Sequence, residues 1–268
     1  MKRTYVWATL LLSFGLCGLS LTSCGDDDDD VLTEVTVPGN GDDNNPDSGD
    51  DGDGNGEGEG DGKEDEGDDG KPDLNGHEAI DLGLSVKWAT CNVGANAPEE
   101  YGGYYAWGET EEKAYYDWST YKYSNGSSST LTKYCMDGYY GTVDNKTVLD
   151  PEDDVAHVKW GGSWRMPTST EIRELRENCS WTWTTQNGVN GYVVTSKSNG
   201  NCIFLPAAGS RWYESVDNSG SIGYYWSASL SEYNSHNACN LYFDGGSRLL
   251  DYNGNLRYHG FSVRPVTE

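Results

Sequence analysis

Apolar positions along this chain fall into three regimes. Behind Lys2 and Arg3, residues 6–21 are almost continuously apolar, and residues 25–73 hold almost nothing apolar. From residue 74 onward, short apolar and aromatic bursts alternate with Gly- and Asn-rich punctuation. Bursts this short, bounded by turn residues, predict strands. The pattern predicts an early strand region over residues 80–90, a hairpin pair over 192–196 and 202–206, and a strand over 224–229. Residues 240–243 and 248–252 flank Asp244-Gly245-Gly246, a hairpin turn, and residues 261–266 close the chain as a terminal strand.

Two segments carry helical signals instead. Thr168-Ser169-Thr170-Glu171 is a capping box, in which hydroxyl and carboxylate satisfy each other's free backbone donors. Beyond it Ile172, Leu175 and Cys179 share a face, and Arg173 can pair with Glu177 one turn on. Asp150-Pro151 opens a shorter helix, with Asp at the N-cap, Pro at N1 and acids beside the positive helix end. Val155 and Val158 are expected to face inward there, and Gly161 to end it.

Charge sharpens the middle regime. Residues 25–73 contain 21 Asp or Glu against Lys63 and Lys71, so they carry 19 of the chain's 26 net negative charges. Such composition cannot offset the entropy of ordering, which predicts a disordered stalk. Like charges extend it beyond a neutral flexible chain. Asp51-Gly52-Asp53-Gly54-Asn55-Gly56 lacks the terminal Glu and flanking helices of an EF-hand, so calcium is not expected there.

The first regime is a secretory leader: a basic start, an apolar core too short for a good membrane span, and small residues before a cut site. Its end, Leu21-Thr22-Ser23-Cys24, resembles the lipobox of bacterial lipoproteins. That resemblance implies diacylglyceryl transfer to the Cys24 thiol, removal of residues 1–23 and acylation of the new amino group. Two or more acyl chains anchor stably where one does not. Asp26 to Asp30 follow at once and resemble the surface-export signal of Bacteroidota lipoproteins. The expected location is the outer membrane, lipid-anchored through Cys24 and facing the exterior.

Residues 74–268 are enough for one well-buried domain. Nine of the ten Trp and eighteen of the nineteen Tyr lie there, while Phe is scarce. Its series Ala79-Ile80-Asp81-Leu82-Gly83-Leu84-Ser85-Val86-Lys87-Trp88-Ala89-Thr90-Cys91-Asn92-Val93-Gly94 opens a family resemblance. It continues through Glu99-Glu100-Tyr101-Gly102, Tyr105-Ala106-Trp107-Gly108-Glu109, Trp164-Arg165-Met166-Pro167-Thr168, Tyr225-Trp226-Ser227-Ala228-Ser229 and Gly260-Phe261-Ser262-Val263-Arg264-Pro265-Val266. In this order the motifs resemble the Fibrobacter succinogenes major paralogous domain. That family is related to domains of the C-type lectin-like, formylglycine-generating-enzyme type. The resemblance implies an α+β fold, β-rich with two short helices and long loops, whose first and last strands pair. It implies no activity, since fold does not fix function.

Candidate chemistry is sparse. The copper-holding cysteine pair of the formylglycine-generating enzyme does not carry over, because Cys239 is the last cysteine. His77, His157, His236 and His259 lack metal-ligand spacing, and neither a serine elbow nor a phosphate loop is present. Glu99-Glu100 and Glu111-Glu112 read as solvated acids rather than glycosidase pairs, and capping explains Asp150 to Asp154 without a metal. No cofactor and no nucleic-acid partner is expected. Five cysteines, Cys91, Cys135, Cys179, Cys202 and Cys239, leave disulfide connectivity open.

The expected working surface is residues 231–259. Tyr233, Asn234, His236, Tyr242, Arg248, Tyr252, Asn255, Arg257 and Tyr258 combine rigid aromatic contact area with adaptable hydrogen bonding, as in antibody combining sites. The reading is a non-catalytic surface lipoprotein that binds an extracellular glycan or protein. Two alternatives stay open: an adhesive surface component without a small-ligand site, and an unrecognised enzyme.

Overall fold

The computed structural model describes residues 74–268, so Cys24, the acidic run and the stalk lie outside the described residues. The expected strand over 80–90 is two short strands, β1 (Ala79–Ile80) and β2 (Lys87–Ala89), paired antiparallel. Gly83, at φ 66°, lies in the loop that splits them, where a strand residue with a side chain would be strained.

The first helix starts later than its sequence signal. Pro151–Asp153 is a separate 3-10 turn, and α1 spans Val155–Trp160 with Asp154, not Asp150, as its N-cap. Asp154 accepts from the backbone N–H of Ala156 and His157 through one oxygen and of Met166 through the other. Val155 is buried as expected, but Val158 is exposed, because the six-residue helix offers only one turn to the core. Gly161 ends α1 with φ 69°.

The second helix, α2 (Ser169–Asn178), keeps the predicted capping box and buries Ile172 and Leu175. Arg165 grips the capping Glu171 with two bonds of 2.9 and 2.6 Å, which ties the helix start to the Trp164–Thr168 segment. Cys179 is the first residue of a strand rather than a helix position: β3 (Cys179–Gln186) follows without a loop. Its Trp and Thr residues favour an extended chain.

β4 (Val189–Ser196) and β5 (Cys202–Pro206) complete a three-stranded antiparallel sheet with β3, so the predicted hairpin pair is present. β6 (Ser210–Trp212) and β7 (Ser215–Asp217) form a small ribbon. β8 (Ile222–Leu230), β9 (Asn237–Asp244) and β10 (Arg248–Leu256) make a second three-stranded sheet, turning at Asp244-Gly245-Gly246 as read. The closing strand is shorter than expected: β11 (Val266–Thr267) pairs with β2, while Phe261 and Ser262 make only single bridges. N- and C-terminal strands of the domain thus share one sheet, β1-β2-β11. The domain is β-rich with two short helices. Among the described residues no helix is long and apolar enough to cross a membrane.

With Phe scarce, the core is built from Trp and Tyr, and each brings a polar atom that burial obliges it to satisfy. Trp107 donates to the Ser227 carbonyl, Trp226 to that of Tyr105 and Tyr121 to that of Trp107, at 2.7 to 2.9 Å. The aromatic content is therefore wired to the backbone across long sequence separations. Cys91, Cys135 and Cys179 are free thiols, and the Cys239 thiol donates to the Leu230 carbonyl.

Candidate functional site

Arg257 and Tyr258 are corrected first, because neither can reach a ligand from the surface. Arg257 is 0% exposed. Its guanidinium donates to the Tyr121 hydroxyl and to the carbonyls of Tyr134, Ser235 and Lys133, at 2.8 to 3.0 Å. It also lies over the Trp107 and Tyr121 rings. Tyr258 is buried edge-on against Trp118. An arginine three residues before the last motif reads as a surface anchor only while its partners, most of them far earlier in the chain, are unknown.

The other expected residues separate into places. Tyr233 is 66% exposed and Tyr139 77% exposed; Tyr139 packs on Tyr140, which bonds Asn234 at 3.0 Å and touches the His236 ring. Burial, then the charge of Arg257, pushes the His236 imidazole below its usual pKa. Tyr242 is half-buried on Tyr224, with its hydroxyl bonded to Asp244; burial and that carboxylate push its phenol up to about 12. Arg248 is exposed at the start of β10, 5.9 Å from the Tyr192 ring centroid. The side chain of Tyr252 lies outside the described part of β10. Asn255 lines a concave site.

That site is a cleft of about 370 Å³ between the β6–β7 ribbon and the C-terminal segment, lined by Ser210, Trp212, Asp217, Asn218, Tyr224, Asn255, His259 and Phe261. Period-two alternation puts Ser210 and Trp212 on one face of β6, and the register places Asp217 and Ser215 opposite them. Arg211 points the other way: it lies over the Tyr116 ring and bonds the Lys113 carbonyl. Arg211 and Gly260 exchange backbone bonds of 2.7 and 3.0 Å, docking the ribbon. A Cβ at Gly260 would strike the Tyr116 ring, so only glycine allows that approach. The two-residue turn carries Tyr213 at φ 51°, which folds its ring flat against Trp212 at 5.2 Å and 18°.

The result is an aromatic wall open to solvent. Trp212 is 46% exposed and Tyr213 nearly as much, although each belongs to the residue types that dominate this core. The floor is an aromatic stack, Tyr224 on Phe261 on Trp226. His259 sits between Trp212, Tyr258 and Phe261, with Nε2 buried and without a hydrogen-bond partner. Burial pushes its imidazole down to about 4, so it is neutral near pH 7. Asn255 reaches the cleft because β10 bulges between Asp251 and Asn255. Gly254, at φ 71°, makes the bulge possible: a side chain there would collide with the Ala238 carbonyl.

Ser210, Trp212, Asp217 and Asn218 escaped the sequence reading. The signal available was a Trp whose neighbours two residues away, Ser210 and Glu214, are both polar, which marks an aromatic on a wet strand face.

A group of three acids, Asp150, Glu152 and Asp153, also comes together. It is already neutralised: Lys133 contacts all three, and Asp153 further accepts from Tyr123, Tyr134 and Lys122. Burial alone would raise the Asp153 pKa, but these bonds outweigh it and hold the carboxyl at about 2. The group reads as a structural knot. Compared with protein-family models, curated proteins and solved structures, the chain matches none.

Proposed function

We propose that this protein is a lipid-anchored outer-membrane protein that holds a C-type lectin-like domain outside the cell to bind glycan, without catalysis. The observation that carries the glycan reading is the exposed Trp212–Tyr213 stack at a cleft that Ser210, Asp217, Asn218 and Asn255 also line. Sugar rings present apolar C–H faces and polar edges, so they suit an exposed aromatic plane flanked by Asp, Asn and Ser. Concave sites with a few convergent polar groups are the usual seats of small ligands. The lectin-like assignment is supported by the ordered motifs and by the shared sheet of the terminal strands. The anchor rests on Leu21-Thr22-Ser23-Cys24.

Binding of the purified chain, in detergent micelles, to a glycan array tests the ligand class. Specific saturable binding that Trp212→Ala removes supports the reading, and a silent array sinks it. Cys24→Ser tests the address: the protein should be released or remain an uncleaved precursor, and a mature membrane-bound product would refute lipidation.

A second reading, a protein ligand, is favoured by the exposure of Tyr139, Tyr233 and Met136. Flat exposed tyrosines suit protein contact better than sugar.

A further inference from the structure

We propose that the Trp212 cleft selects uncharged saccharides and that Asp217 is the residue that turns acidic ones away. This rests on the glycan reading and narrows it.

The charge inventory of the cleft is one-sided. Among its lining residues Asp217 is the only charged one, and no Lys or Arg is present. The nearest guanidinium by sequence, Arg211, occupies the opposite face of the ribbon and is spent on Tyr116 and the Lys113 carbonyl. His259 contributes no positive charge near neutral pH, since burial keeps it unprotonated. Ser210, Asn218 and Asn255 are neutral donors and acceptors.

The geometry gives Asp217 a use. It stands directly across from Ser210, on the face that carries Trp212. A sugar stacked on the indole therefore presents its edge hydroxyls to a carboxylate that can only accept. An uncharged sugar supplies matching donors and loses little on entry. A uronate or sialate would bring a second carboxylate next to the first, with no cation to balance either, and like charges a few ångströms apart repel even at a wet surface.

The test uses matched pairs that differ in charge and little else: sialylated and desialylated glycans, glucuronylated and plain xylan oligomers, and polygalacturonate oligomers with their methyl esters. Affinities are measured at low and high salt for the wild-type chain, Asp217→Asn and Trp212→Ala. Asn keeps the size and removes the charge. Within each pair that binds, the wild type should favour the neutral member about tenfold or more. Asp217→Asn should shrink that preference to about twofold, and high salt should shrink it in the wild type. Equal or stronger wild-type binding of the acidic members, or an unchanged preference in Asp217→Asn, overturns the role given to Asp217 while leaving the cleft as the glycan site. Full affinity in folded Trp212→Ala, or no saccharide bound at all, instead removes the glycan site and this proposal with it.

Discussion

Arg257 and His259 are two residues apart, yet they belong to regions with opposite polar logic. Around Arg257, four donors meet four acceptors, and the rings of Trp107 and Tyr121 cover the charge. Around His259, the buried Nε2 has no partner, and Asp217 opposite makes no hydrogen bond or ion pair through its side chain among the described residues. The same residue types thus do different jobs. A buried polar group that is satisfied holds a structure in one state, whereas polar groups left free at the edge of a cleft are available to something else. Arg264 repeats the first pattern in the other half of the core, donating to Asn92 and to the carbonyls of Ala89, Thr90 and Phe204. Among the described residues neither arginine has a carboxylate partner, and carbonyl dipoles solvate both.

This contrast breaks if Arg257 proves dispensable. Arg257→Met removes the charge but strands the carbonyls of Lys133, Tyr134 and Ser235, so it should cost about 3–5 kcal/mol and lower the melting temperature sharply. A loss below about 1 kcal/mol in denaturant titration would mean the hub relaxes, and the distinction between the regions would fail.

Acid titration probes both kinds of buried group. The folded pKa of His259, about 4, lies below the unfolded value of about 6.5. The unfolded chain therefore takes up the proton first, and stability should fall as the pH drops from 6.5 toward 4. Asp153, held at about 2, contributes stability that is complete above its unfolded value and lost as the pH falls through 3.8 toward 2. Each window corresponds to about 2–3 kcal/mol. His259→Gln should shrink the upper window, to which His77 and His236 also contribute, and Asp153→Asn the lower one, to which Asp144 and Asp150 contribute, and urea midpoints against pH will separate them. A flat profile between 6.5 and 4 would mean that His259 is not shielded as the cleft geometry demands.

Trp212→Ala should cost about 1–2 kcal/mol in stability, because the half-covered ring packs on Tyr213 and His259, while costing about 2 kcal/mol or more in glycan affinity. A large fall in melting temperature would make Trp212 part of the frame rather than the site. Tyr233→Ala should be the quietest change, altering neither stability nor glycan affinity. Lost glycan binding in that variant would move the site to the surface around Tyr233.

Much of the β framework was legible. The hairpins at 192–206 and 240–252 follow from short bursts and turn residues, and the capping box at Thr168 states its own geometry. What was misplaced lies where local signals compete. Asp150, Asp153 and Asp154 are all plausible caps, and only the Met166 N–H, brought in from beyond the helix, selects Asp154. The proposed cleft draws Asn255 and His259 from the expected segment 231–259, while Ser210, Trp212, Asp217 and Asn218 come from the β6–β7 ribbon and the residue after it, which the local pattern did not mark.

The sequence by itself determined the three regimes of the chain, since an apolar stretch, an acidic segment and an aromatic-rich part are matters of composition and local order. It also determined that the core would be polar-edged, because Trp and Tyr must bring indole and phenol groups inside. Only the tertiary structure decided which of those groups were satisfied. Arg257 finds Tyr121 and Tyr134 across more than a hundred residues, and Trp212 is left uncovered because Gly260 lets the ribbon dock edge-on. Burial is a property of who arrives from far along the chain, and no local pattern around residue 212 or 257 contains it.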